Sequence, residues 1–289
     1  MEIIYTKEHR YRCIEESKIE TDCSSIYKAQ DLELNRNVCI KSLKLDGANS
    51  NEIQIKLQRA MLEVRAMVEI SDKVTHIPNI LSTYFDKEKL TFYIIMQWIE
   101  GASLKERMSV PEMQFINWMI NLCDILSAME KKNLYHKDIK PANIMIDSSN
   151  ELFLIDFNIS VSTPNMIEGT LYYKAPEMDN KSKYMGREKV DMFAIGVMLY
   201  EYYTKEIPKK TIDYAKNTER GSFEWDIFVE AIEKNSEVPK EINDIIIKCM
   251  KLDPKQRYRN SNELKYELNK AVRSLRNDKN RGFKPGRPV

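Results

Sequence analysis

From residue 11 to about residue 97 the apolar positions come in short runs of β-type composition. Val38-Cys39-Ile40-Lys41 follows the turn-like Leu34-Asn35-Arg36-Asn37, and Thr91-Phe92-Tyr93-Ile94-Ile95-Met96 is a second strand candidate. Between them, Ile53 to Ile70 takes a helical period, with Leu57, Met61, Val64 and Val68 along one face. Beyond Gly101 the chain turns helical. Met113 to Met129 carries a wide apolar stripe at Phe115, Ile116, Met119, Ile120, Cys123, Leu126 and Met129. Met192 to Tyr203 is apolar almost all round, which predicts a helix buried at the centre of a helical region.

One stretch reverts to β pattern. Ile144-Met145-Ile146, the turn Asp147-Ser148-Ser149-Asn150 and Leu152-Phe153-Leu154-Ile155 predict a hairpin with polar groups at both open ends. The pattern divides the chain into a β-rich region, 1–97, a helical region, 98–272, and a tail, 273–289. There is no internal repeat. The junction at Gln97-Trp98 has no Gly/Pro-rich linker, so it predicts a hinge within one functional unit.

Charge and composition narrow the setting. Forty-five basic residues against 44 acidic ones argue against bulk nucleic-acid binding. No apolar run is long enough to span a bilayer, and Met1-Glu2-Ile3-Ile4-Tyr5-Thr6-Lys7 lacks the apolar core of a signal peptide. Five scattered cysteines predict reduced thiols and a cytoplasmic location. The tail sets Arg273, Arg276, Lys279, Arg281, Lys284 and Arg287 against Asp278 alone, and reads as a disordered, solvated end. A docking arm for an acidic partner is the sharper alternative.

The candidate chemistry sits at the ends of the hairpin. His136-Lys137-Asp138-Ile139-Lys140-Pro141-Ala142-Asn143 precedes it, and Asp156-Phe157-Asn158 follows. Phosphoryl transfer needs such a set: a carboxylate to orient the attacking hydroxyl, a cation for the moving group and oxygen ligands for Mg²⁺. In order and spacing these segments resemble the catalytic loop and metal motif of the eukaryotic-type serine/threonine protein kinases. The resemblance implies an α+β, bilobal fold, with a small β-rich N-lobe over a larger helical C-lobe. It implies Asp138 as catalytic base, Lys140 on the transferred phosphate, and Asn143 and Asp156 on the metal.

The same resemblance extends to other segments. Lys41 matches the strand lysine that contacts the α- and β-phosphates, and Glu63 is its expected carboxylate partner, with Met67 facing the core one turn later. Met96-Gln97-Trp98-Ile99-Glu100-Gly101 resembles the adenine-binding connection, where backbone groups bond the purine edge and Met96 takes the gatekeeper position. Ile26 and Met145 are the expected apolar plates above and below the ring, Cys39 stands in the adenine roof, and Ile19 lies in the loop over the nucleotide. Gly169-Thr170-Leu171-Tyr172-Tyr173-Lys174-Ala175-Pro176-Glu177 resembles the segment that seats a protein substrate. There Thr170 is expected to bridge Asp138 and Lys140, and Glu177 to pair with Arg257. Asp191 is expected to accept backbone bonds from the catalytic loop.

The pattern breaks in three places. The phosphate-covering loop should be glycine-rich, yet Ile19, Thr21 and Ser24 stand where glycines belong. Asn158 replaces the glycine of the metal motif, and Lys137 replaces an arginine whose planar fork would clamp an activation-segment phosphate. The expectation is a kinase that transfers the γ-phosphate of ATP, with Mg²⁺ or Mn²⁺, to Ser or Thr of a protein. The rivals are a pseudokinase, acting as a nucleotide-binding or interaction module, and a small-molecule phosphotransferase. The intact set Lys41, Asp138, Asn143 and Asp156 favours the enzyme.

Overall fold

A computed structural model describes residues 3–6, 8–20, 24–45, 47, 49–157, 172–179, 189–208 and 229–282. The chain divides into two compact units, Met1–Gly101 with Asp147–Ser162, and Ala102–Ile146 with Thr163–Val289. The division falls a few residues beyond the expected hinge at Gln97-Trp98, and it returns the residues after Ile146 to the first unit.

The first unit is built on an antiparallel sheet. Its strands are β1 (Ile3–Tyr5), β2 (Arg10–Cys13), β3 (Ile19–Glu20), β4 (Ser24–Asp31), β5 (Arg36–Lys44), β6 (Ile80–Asp86) and β7 (Thr91–Gln97). They lie in the order β1-β2-β4-β5-β7-β6, with β3 also paired to β4. Because strand residues alternate faces, the sheet carries two cores. Tyr27, Ala29, Val38, Ile40, Tyr93 and Ile95 pack on one side. On the other, Phe92 and Ile94 pack with Ala60 and Val64 of helix α1 (Ser50–Ser71), which Asn49 caps through its side chain. The buried arc of α1 is Ala60, Glu63, Val64, Ala66, Met67 and Ile70. Val68, expected on that face, is 44% exposed.

The second unit is helical. Helices α2 (Glu112–Glu130), α3 (Val190–Thr204), the short α4 (Ala231–Lys234), α5 (Lys240–Cys249) and α6 (Ser261–Gly282) follow in order. Almost every residue of α3 is buried, as its all-round apolar pattern predicts. Phe193, Ile195, Val197 and Leu199 are fully enclosed, each burial being worth about 1.5–3 kcal/mol. Gly196 lets α3 approach α5: a Cβ there would lie 2.7 Å from Cys249 Cβ and 2.8 Å from Met250 Cγ. Helix α6 runs through Arg273 and on to Gly282, so the segment read as a disordered tail begins as helix. Buried Leu264, Leu268, Ala271 and Val272 anchor it. No helix among the described residues is long and apolar enough to cross a membrane.

Three short strands complete the set: β8 (Gly101–Ser103), β9 (Ile144–Asp147) and β10 (Leu152–Leu154). The turn after β9 is set by Asp147, whose Oδ1 accepts the amides of Ser149 and Glu151 at 2.8 Å each. Asn150 takes the left-handed conformation there.

Candidate active site

In the first unit, β5 presents Lys41 on the face opposite Val38 and Ile40. Cross-strand register places Ile26 opposite Lys41, and both Lys28 and Met96 opposite Cys39. Ile26, Lys28, Cys39, Lys41 and Met96 therefore share one face of the sheet, the face that α1 covers. Lys41 Nζ lies 3.1 Å from Glu63 Oε1 and 3.0 Å from Asp156 Oδ1. Its side chain is 3% exposed, against 6% for Glu63 and 27% for Asp156. Burial alone would push the ammonium pKa down. The carboxylates of Glu63 and Asp156 outweigh it and hold the pKa above the ordinary lysine value. Asp156 has φ +66°, an uncommon backbone for a residue with a side chain, and Phe157 beside it is fully buried.

Sequence reasoning missed a second group on this unit. Trp98 Nε1 donates to Glu100 Oε2 at 2.7 Å, and Lys28 Nζ reaches the same oxygen at 3.2 Å. Lys28 also lies over the Trp98 ring, 4.8 Å from its centroid. Gln97 is tied instead to Asn79, whose carbonyl accepts its amide at 2.8 Å. Ile19, on β3, is 64% exposed. Thr21 lies outside the described residues, as do Asn158, Thr170 and the rest of the segment before Tyr172.

In the second unit, the stretch 136–143 is fastened at several points. The backbone amides of His136 and Lys137 donate to Asp191 Oδ2 and Oδ1 at 2.8 and 2.7 Å. Asp191 stands in the first turn of α3 and is buried. Burial pushes its carboxyl pKa up, and the two amide bonds pull against that. Lys137 itself is buried and takes a left-handed φ of +65°. Next to it, Asp138 is gripped by two neighbours. Lys140 Nζ donates to Asp138 Oδ2 at 2.7 Å, and Asn143 Nδ2 donates to both Oδ2 and the backbone carbonyl of Asp138 at 2.9 Å. A 3-10 turn over Pro141–Asn143 brings Asn143 back to that position. Met145 is half-buried between fully buried Ile144 and Ile146.

Two further contacts brace this unit. Arg257 forks onto Glu177 with bonds of 2.6 and 2.8 Å, the pairing expected from the sequence. Tyr173 donates to Glu201 Oε2 on α3 at 2.6 Å, a bond that no local pattern announces.

The charged set thus falls into two groups, Lys41–Glu63–Asp156 on one unit and Asp138–Lys140–Asn143 on the other. Comparisons with known proteins bear on the family. The chain is 27% identical over 267 residues to serine/threonine-protein kinase PrkC of Bacillus subtilis, covering 86% of this chain and 38% of that protein. It is 25% identical over 265 residues to PknB of Mycobacterium leprae, covering 85% and 40%. It is 29% identical over 244 residues to Aurora/IPL1-related protein kinase 2 of Caenorhabditis elegans, covering 81% and 74%. The chain spans about two fifths of the length of the two bacterial relatives. Residues 20–268 match the protein kinase domain, and the chain belongs to that family.

Proposed function

We propose that the chain transfers the γ-phosphate of ATP to serine or threonine hydroxyls of a protein substrate. The observation that carries this reading is Asp138, a carboxylate fixed from two sides by Lys140 and Asn143. A carboxylate with one oxygen held by two donors is restrained in orientation, which is what a base that orients a hydroxyl requires. Lys140 beside it supplies positive charge for the moving phosphoryl group. Lys41 contacts the α- and β-phosphates, and its bond to Glu63 keeps the amine extended.

The donor chemistry suits a hard divalent cation. Asn143 commits its Nδ2 to Asp138, which leaves the amide oxygen as its ligand atom, and Asp156 adds carboxylate oxygens. These two residues would hold Mg²⁺, or Mn²⁺ in its place, and the ion would screen the phosphate charge. The backbone of Met96, Gln97 and Trp98 takes the adenine edge, with Ile26, Cys39 and Met145 as apolar plates and Ile19 in the covering loop. The resemblance gives Thr170 the role of bridging Asp138 and Lys140. The relatives' printed names, serine/threonine-protein kinases, support the choice of acceptor. A cytoplasmic location supplies the ATP and suits the unoxidised thiols of Cys39, Cys123 and Cys249.

The test is transfer from radiolabelled ATP to generic protein substrates, wild type against Asp138→Ala, followed by phosphoamino-acid analysis. Label on serine and threonine that vanishes in the variant supports the reading. Label mainly on tyrosine, or equal silence of both proteins with Mg²⁺ and with Mn²⁺, overturns it.

A further inference from the structure

Strands β2 and β4 run in antiparallel register through Cys13↔Ala29, and the Ile14 amide extends the ladder by donating to the Lys28 carbonyl at 2.9 Å. A hydrogen-bonded pair in such a ladder normally exchanges both bonds, so the Lys28 amide should return to the Ile14 carbonyl. It does not. It donates to Ser17 Oγ at 2.9 Å, and the Ser17 hydroxyl donates to the Ile14 carbonyl at 2.6 Å. The second ladder bond is thus relayed through a side chain.

The chain between winds into a 3-10 turn, Glu15–Ser17, with the Ser17 amide on the Ile14 carbonyl at 3.0 Å. Pairing with β4 then resumes at Ile19↔Ile26 and Glu20↔Ser25. An unbroken strand would have set Glu16 opposite Ile26, so the turn inserts three residues just before the glycine-free loop. A serine in a turn usually bonds only its own near neighbours. Ser17 does that and also holds an amide eleven positions away on another strand.

We propose that Ser17 is a positioning residue of the nucleotide-covering loop. Its hydroxyl relay fixes the angle at which the chain enters β3 before nucleotide arrives. This rests on the reading of residues 19–24 as that loop. A glycine-rich loop reaches phosphates by being free to bend, and it loses that freedom on binding. Side chains at Ile19 and Ser24 work against that route, and an entry strand set in advance leaves less order to be gained on binding. Lys28 is the node of the arrangement. Its amide starts the relay and its carbonyl accepts the Ile14 amide, while its side chain joins Glu100 and Trp98 of the segment read as the adenine connection.

The test compares Ser17→Ala and Ser17→Thr with wild type by amide hydrogen exchange without nucleotide and by steady-state kinetics. In Ser17→Ala the Lys28 amide should exchange faster, and KM for ATP should rise about threefold to tenfold, the size of one hydrogen bond, with kcat little changed. Ser17→Thr, which keeps the hydroxyl, should restore both. Unchanged exchange at Lys28 in Ser17→Ala overturns the relay. Faster exchange with unaltered KM overturns the role and leaves Ser17 a structural residue. A wild type that binds and turns over no ATP overturns the kinase reading and the role with it. An active wild type with an indifferent Ser17→Ala overturns the role alone.

Discussion

Arg257 and Glu177 are joined by two parallel guanidinium–carboxylate bonds, and the arginine side chain is fully enclosed. Its remaining donors reach the carbonyls of Lys251, Lys189 and Leu252 at 2.7, 3.1 and 3.4 Å, so no N–H of the fork is idle. Removing the cation takes the Arg257 donors away from Glu177 and three carbonyls. Arg257→Ala should therefore lower stability by about 3–5 kcal/mol, as for other broken buried pairs. Arg257→Lys should recover only part of it, because a point charge cannot make both bonds. Denaturant titration checks this, and a loss within about 0.5 kcal/mol would count against it.

Asp138→Asn should lower phosphoryl transfer by about a hundredfold to ten-thousandfold while leaving nucleotide affinity nearly intact. Single-turnover transfer and calorimetry with a non-hydrolysable nucleotide read the two separately. Lys41→Met should behave differently. It removes the cation that faces both Glu63 and Asp156, so it should lose transfer and stability together.

Cys39 gives a pH signature. Burial pushes its thiol up to about 11, and the Lys41 ammonium lowers it only in part. A raised thiol pKa means the neutral form is the one the fold favours. That contribution is complete below the unfolded value of about 8.5 and is lost as pH climbs through 11. At pH 8 the alkylation of Cys39 should run at least about a hundredfold slower than that of an unfolded thiol, since the thiolate is the nucleophile. Peptide mapping after timed iodoacetamide treatment checks the rate, and rapid labelling of the folded protein would contradict it.

Lys137 carries charge without a planar fork, and it is buried. Replacing Ser160, Ser162 and Thr163 together by Ala should therefore lower activity only modestly. A loss of about a hundredfold, or about 2.7 kcal/mol in barrier, would show that phosphate on this segment orders the site.

The contact of Lys41 with Glu63 was legible because the resemblance calls for a strand lysine paired with a helix carboxylate, and the helical period then selects Glu63, one turn before a core methionine. The same arithmetic misplaced Val68. Hydropathy assigns a helix face by its apolar members, and here the inner arc includes a buried carboxylate and two alanines. The extension of α6 past Arg273 was hidden for a related reason. Charge dominates the composition there, while four small or branched side chains anchor the helix. The Ser17 relay and the Lys28–Glu100–Trp98 group left no local trace. Each joins ordinary surface residues across strands or loops, and periodicity along the chain does not register such bonds.

Gly196 has a consequence for how this protein tolerates change. Among eight glycines, it is the one in the core of α3 where a methyl group would have to displace Cys249 or Met250. Residues 15–29, where relatives of this fold are expected to need bare backbone, hold none. Saturation mutagenesis should accordingly find a helix crossing at position 196 that admits no side chain, so that the spacing of two helices in the second unit hangs on one hydrogen atom.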